Sequence, residues 1–232
     1  MNDSDAQGSA AASQPSSRSS AWRRSVVRLA SDWFFGLALG LLAYQGVTDG
    51  LAARSQAALR SEMPALTAPA PSATAALDFS AWERDKAYWD ALKPGQPFAT
   101  IVCEAIGLDA VVVKGVEPRD LRLGPGWAPY TDVPGPTGNC GISGHRTTYG
   151  APFRRIDRLE RGDRISLVAP HTTYTYEVER VFVVRPDQTE VFATTEEPSL
   201  TLTACHPPYS ARYRIVARAV LVGATPNQAG RE

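Results

Sequence analysis

Apolar and polar positions divide the chain into three stretches with different periods. The first lies near the N-terminus, where WRRSVVR runs into LASDWFFGLALGLLAYQGVTDGLAAR and the 16 residues from Trp33 to Thr48 carry no charge. Extended by Leu29, Ala30, Gly50 and Leu51, it reaches the roughly 20 apolar residues that cross a bilayer core, with Asp32 and Asp49 at headgroup depth. The second is DFSAWERDKAYWDAL: Asp78 or Ser80 is placed to cap a helix, and Trp82, Ala87, Tyr88 and Trp89 recur at near-helical spacing before Lys93-Pro94-Gly95 stops it. Its aromatic face is expected to cover a core. The third stretch fills most of the rest. ATIVCEAIGL, DAVVVKGV, NCGISG, DRISLVA, TTYTYEVERVFVV, SLTLTAC and RYRIVARAVLVG are short, rich in β-branched and aromatic residues, and punctuated by Gly, Pro and Asp. With no helical rhythm between them, about seven or eight strands predict an all-β barrel or sandwich.

Composition refines the ends of this picture. The Ser-, Ala- and Gln-rich opening has almost no large apolar residue and is expected to be disordered. Arg18, Arg23, Arg24 and Arg28 precede the apolar segment and only Arg54 and Arg60 come closely after it, which places the N-terminus in the cytoplasm and the chain beyond the segment outside the cell. A cleaved signal, with Gly50-Leu51-Ala52 as its small-residue site, is the alternative for the same segment. SEMPALTAPAPSATAA has the bias of a semi-extended spacer. The expected organisation is therefore a disordered tail at 1–28, a single-pass membrane anchor at 29–50, a spacer at 51–77, an accessory helix at 78–94, a β domain at 95–223 and a flexible tail at 224–232.

Charge and motifs exclude several classes of function. Lys plus Arg and Asp plus Glu both number 24, so no net field gathers nucleic acid. No glycine-rich phosphate loop or dinucleotide fingerprint is present, and no cofactor is expected. The three cysteines, Cys103, Cys140 and Cys205, form no CxxC pair.

Candidate chemistry gathers late in the chain. In SLTLTAC, Leu200, Leu202 and Ala204 point one way while Thr201, Thr203 and Cys205 point the other. Cys205 stands where His206-Pro207-Pro208 breaks the strand, a placement suited to meeting a substrate. Downstream, Arg212, Arg214, Val216 and Arg218 share a face, and an arginine near the thiol would favour the thiolate and donate to an oxyanion. Parity does not separate Arg212 from Arg214. In GNCGISGHRTTYGAPF a strand ends at His145, an acid/base of the kind that acyl transfer pairs with a cysteine nucleophile. A thiol and an imidazole at their ordinary values would coexist as thiolate and imidazolium in only about 1% of molecules near pH 7.5.

TLTACHPPYSARYRIV resembles the sortase signature, a TLxTC strand followed by an arginine, and GNCGISGHRTTYGAPFRRIDRLERGDRISL resembles the segment that carries the sortase histidine. GHRTTYGAPF, the L-x-x-L-x-x-GD run and TLTxCHPxxSARxR together are similar to class E sortases, over residues 95–223. Ala204 departs from the usual threonine, on the face away from the thiol. The resemblance implies an eight-stranded β-barrel transpeptidase with Cys205 as nucleophile, His145 as acid and base, and Arg214 as oxyanion or substrate clamp. Thr203, Tyr149 and Arg212 are candidates for the substrate groove. It further implies an LPxTG- or LAxTG-like sorting motif as substrate and a peptidoglycan-precursor amine as acceptor, at the cell membrane. The alternatives are pilin polymerisation, with a lysine acceptor, and an exported peptide-binding barrel without turnover. No metal is expected: a zinc set from Cys140, His145, Cys205 and His206 lacks the usual loop spacing, and Asp187 with Glu196-Glu197 reads as solvated rather than calcium-binding. His206 and His171 are not expected to act in acid/base chemistry. A Cys103–Cys140 disulfide outside the membrane would leave Cys205 free, and two buried thiols would do so equally.

Overall fold

From Ser17 to Glu62 the chain contains no proline and is rich in Ala, Leu and Arg, residues that lose little on entering a helix. The computed structural model of the protein, which describes residues 17–63 and 76–227, forms one helix over this whole stretch, α1 (Ser17–Glu62). It stops just before Pro64, which disfavours helical geometry in the residue ahead of it. Two expected boundaries change. Residues 17–28, expected as tail, are helical, and so are 51–62, expected as spacer. The rest of the tail at 1–16, most of the spacer at 64–75 and the end of the C-terminal tail at 228–232 lie outside the described residues. The portion from Val26 is long and apolar enough to cross a membrane once, and Trp33, Phe34, Phe35 and Leu42 stand exposed on it.

The accessory helix is shorter than its pattern, α2 (Trp82–Ala91). Neither expected cap closes it. Ala81 holds the N-cap position without a side-chain bond, and Asp78 instead accepts the Ser80 N–H at 2.9 Å. Its aromatic face does cover the core: Trp89 is fully buried, stacks on Phe98 at 5.0 Å and donates its indole N–H to the Phe98 carbonyl at 2.9 Å.

The strands close into one barrel. They are β1 (Pro97–Cys103), β2 (Leu108–Lys114), β3 (Gly126–Trp127), β4 (Asn139–Gly144), β5 (Arg164–Val168), β6 (Thr172–Val184), β7 (Ser199–His206) and β8 (Tyr213–Pro226). Their order around the barrel is β1-β2-β3-β4-β7-β8-β6-β5. The β2–β3 and β4–β7 pairs are parallel and the others antiparallel. β6 and β8 are long enough to bend only because their register shifts at Thr175/Tyr176 and Val178/Arg180, the bulges that let a sheet curl closed. The inner face is apolar, with Ile101, Ile142, Leu167, Leu200, Leu202 and Ala217 buried together.

Part of α1 belongs to this domain. Gln56 lies against β2, where its Oε1 accepts the Val111 N–H at 2.7 Å and its Nε2 donates to the carbonyls of Val111 and Leu123 at 3.0 and 2.8 Å. One side-chain amide thus satisfies backbone groups that no strand reaches. Leu59 packs beside it on Val111 and Val113. Gln45 and Asp49, at the far end of the segment expected as anchor, bond to the barrel's loops.

Candidate active site

The site is assembled by three neighbouring strands. β4 and β7 run parallel, with Gly144 opposite Ala204, so His145 leaves β4 at the level of Cys205, the last residue but one of β7. β8 lies on the other side of β7 and places Arg214 directly across from Cys205. Adjacent strands lie about 4.8 Å apart, so the three chemically distinct side chains arise on one barrel rim. The alternation expected in SLTLTAC holds: Leu200, Leu202 and Ala204 enter the core, and Thr203 and Cys205 face outward. Gly144 is needed just ahead of His145, since a Cβ there would lie 2.7 Å from the Phe153 ring.

That outward face is covered, and a groove of about 320 Å³ results, with His145, Thr203, Cys205 and Arg214 among its lining residues. The cover is the β6–β7 connection, held down from beneath. Asn139, fully buried, donates to the Val191 and Ala193 carbonyls at 3.0 Å each and accepts the Thr201 hydroxyl at 2.7 Å, while Arg218 donates to the Val191 carbonyl at 2.8 Å. Tyr130 and Phe192 meet edge to face at 6.0 Å and give the groove aromatic walls. Thr203 shares a hydrogen bond of 2.9 Å with Ser143 on β4. Arg214 uses one guanidinium nitrogen to donate to the Ala211 and Tyr213 carbonyls at 3.0 Å, which ties it to the loop after the cysteine.

Two candidates lie elsewhere. Arg212 precedes β8, is exposed, and sits over the Tyr213 ring at 5.4 Å rather than on the groove. Tyr149 packs against His145 in a tilted arrangement, with ring centroids 5.2 Å apart, and lines a separate cavity against α1. The Arg122 guanidinium lies 5.9 Å from the Tyr149 ring centre. Burial first, and then the charge of Arg122, hold the His145 imidazole below its ordinary value. The shift disfavours the imidazolium that an acid step at His145 requires.

Several residues here have no signal of their own in the sequence. Arg146, next to His145, is almost fully buried, pairs with Asp157 at 2.8 Å and meets His206 Nδ1 at 2.8 Å. An arginine only donates, so Nδ1 accepts and the His206 proton sits on Nε2. Asp157, Asn139 and Arg122 are equally silent, being polar residues in loops or strand ends. The remaining cysteines are simpler. Cys103 and Cys140 are free and buried, not joined in a disulfide, and burial pushes both thiols up. Among the described residues no group of three or more His, Cys, Asp or Glu is gathered for a metal ion. Asp187 is taken by Arg185 at 3.3 Å.

A closed eight-stranded barrel with cysteine, histidine and arginine on one rim groove defines a narrow class of protein, and comparison with known proteins places it. A sortase-domain family model matches residues 101–222, more than half of the chain, and the protein belongs to the sortase family. Sortase SrtE1 of Streptomyces coelicolor is 26% identical over 167 residues, 65% of this chain and 47% of its own length. Sortase D of Bacillus subtilis is 32% identical over 114 residues, 49% of this chain and 56% of its own. The chain spans about half the length of these curated relatives. A solved Clostridium perfringens Sortase D5 transpeptidase matches with a TM-score of 0.59 at 25% identity, covering 75% of this chain and 99% of that one. The resemblance to class E agrees with the Streptomyces relative.

Proposed function

We propose that the protein is a membrane-anchored cysteine transpeptidase with its N-terminus in the cytoplasm and its barrel outside. Its substrates are secreted proteins ending in an LPxTG- or LAxTG-like motif, cut between Thr and Gly and passed to the amine of a peptidoglycan precursor. The observation that carries this reading is the cross-strand register of Cys205 with Arg214, beside His145, on one groove.

In the reaction, Cys205 Sγ attacks the threonine carbonyl carbon as thiolate, and Arg214 stabilises the oxyanion that develops. Collapse breaks the Thr–Gly bond, with His145 giving its proton to the departing glycine nitrogen. A thioacyl bond to Cys205 remains. The acceptor amine enters, loses a proton to the now neutral His145, and attacks the thioester, which returns Cys205 to thiolate. Desolvation of His145 disfavours the charged form needed at the start, so slow turnover is expected. The apolar groove walls suit the motif's hydrophobic first residue, and Thr203 lies where the extended peptide would approach the thiol.

The test uses the full chain in detergent with LAxTG and LPxTG peptides and a glycine amine, read by mass spectrometry. Product is expected from the wild type and from Arg212→Ala, and is lost in Cys205→Ala, His145→Ala and Arg214→Ala. An Arg214→Ala variant as active as the wild type would reassign the clamp.

A further inference from the structure

We infer that the membrane-proximal turns of α1 set the geometry of the loop bearing His145, with Asp49 as the positioning residue; the inference rests on the transpeptidase reading above. The loop needs an external hold. Tyr149, Gly150 and Ala151 succeed one another at φ of 52°, 74° and 44°. Two of the three carry a Cβ, and side-chain-bearing residues keep left-handed backbone only where their surroundings enforce it.

The hold comes from one face of α1. Asp49 Oδ1 accepts the Gly150 N–H at 2.9 Å, at the centre of the left-handed run. Gln45, one turn earlier, donates through Nε2 to both Asp49 oxygens at 3.2 Å and to the Thr147 carbonyl at 3.2 Å. Residues four apart share a helix face, so the two side chains form one bracket across the loop. Ala52, buried one turn further on, backs Gly150. Apolar packing does not fill this seam, because a cavity of about 260 Å³ lies there, lined by Asp49, Ala52, Gln56, Tyr149 and Gly150. The bonds from α1 therefore add an external hold to the loop's own, in which the Ala151 N–H donates to the Thr148 carbonyl at 2.9 Å and the Phe153 N–H to the His145 carbonyl at 3.1 Å.

From the loop the constraint passes to the reacting group. Tyr149, adjacent to the bracketed Gly150, packs its ring against the imidazole of His145, the two planes tilted by 37°. Releasing Gly150 lets Tyr149 leave its left-handed conformation and removes the surface against which the imidazole is oriented. Misplacement of an acid/base group by an ångström costs up to about 100-fold in rate. The chain that anchors the protein thus also completes its active site.

The test uses the full chain in detergent micelles, with LAxTG peptide and glycine amine for steady-state kinetics and with hydrogen exchange over 145–153. Asp49→Ala is expected to lower kcat by about 10-fold or more, leave peptide KM within about twofold, and speed exchange at the Gly150 amide. Asp49→Asn retains an accepting oxygen and restores both readouts, and Arg60→Ala, further along α1, behaves as wild type. An active wild type whose Asp49→Ala variant keeps its kcat, or an Asp49→Asn variant that rescues nothing, overturns the inference alone. A wild type that forms no product with any motif peptide overturns the transpeptidase reading instead. If Asp49→Ala does not fold, Gln45→Ala, which spares the Gly150 bond, carries the same comparison with a smaller loss.

Discussion

Removing Asp157 should destabilise the protein more than removing its partner Arg146. The side chain of Arg146 is 3% exposed and that of Asp157 45%. Asp157→Ala leaves a buried guanidinium without its counter-charge, with Nε already lacking a partner and only His206 Nδ1 still accepting. Breaking such a pair from the exposed side costs about 3 kcal/mol, the low end for buried pairs because one hydrogen bond survives. Arg146→Met also loses the ion pair, but what remains is a carboxylate and an imidazole that water reaches. Its net cost is about 1 kcal/mol, since the desolvation of the guanidinium disappears with it. For a domain of this size each kcal/mol moves the melting temperature by about 2–4 °C. Thermal unfolding in detergent should then show a drop of about 6–12 °C for Asp157→Ala and about 2–4 °C for Arg146→Met. The double variant should melt above Asp157→Ala alone, because the stranded charge is gone. Equal losses in the single variants, or additive losses in the double, would refute the assignment of Arg146 as a buried, Asp157-dependent charge. Arg146, the residue after His145, also bonds His206, the residue after Cys205, so the same variants should also slow turnover.

Two further predictions concern protonation. Arg122→Gln removes a positive charge that holds His145 down, so the acidic limb of the pH–rate profile should move to higher pH and the maximum should rise, while Arg122→Lys should leave both in place; an unmoved limb in the glutamine variant would discard the electrostatic role. Asp85 is fully buried, accepts the His171 N–H at 2.8 Å and the Tyr174 hydroxyl at 3.2 Å, and has its carboxyl pushed above the ordinary range chiefly by burial. The native state then binds more protons than the unfolded one, so stability falls as pH rises from about 4 through the raised value. Asp85→Asn should flatten that part of the curve of melting temperature against pH, and a slope identical to the wild type would show that Asp85 titrates normally.

How much of this is legible in the sequence depends on the range of the interaction. Period-two alternation divides Leu200, Leu202 and Ala204 from Thr203 and Cys205 as the structure does, because each strand's faces are set within a few residues. The two-residue β3 has too few positions for any period, and its pairing with β2 and β4 is entirely non-local. LAARSQAALRSE reads as spacer because the prolines from Pro64 onward colour its surroundings, although its own residues are good helix formers. Arg212 and Arg214 share parity, so only the register of β7 on β8 separates them, and register is fixed by the partner strand. Nothing local in the sequence marks Arg146 for burial, which becomes visible only when Asp157 and His206 arrive from elsewhere in the chain.

The proposed reaction requires Cys205 to form the thioacyl bond. Intact-mass spectrometry of the full chain, incubated with an LAxTG peptide in the absence of an acceptor amine and then digested, tests it directly. One added acyl group ending in the motif's threonine is expected, located on the peptide containing Cys205 and absent from those containing the buried Cys103 and Cys140. An adduct on either buried cysteine, or peptide cleavage that persists in Cys205→Ala, would contradict it.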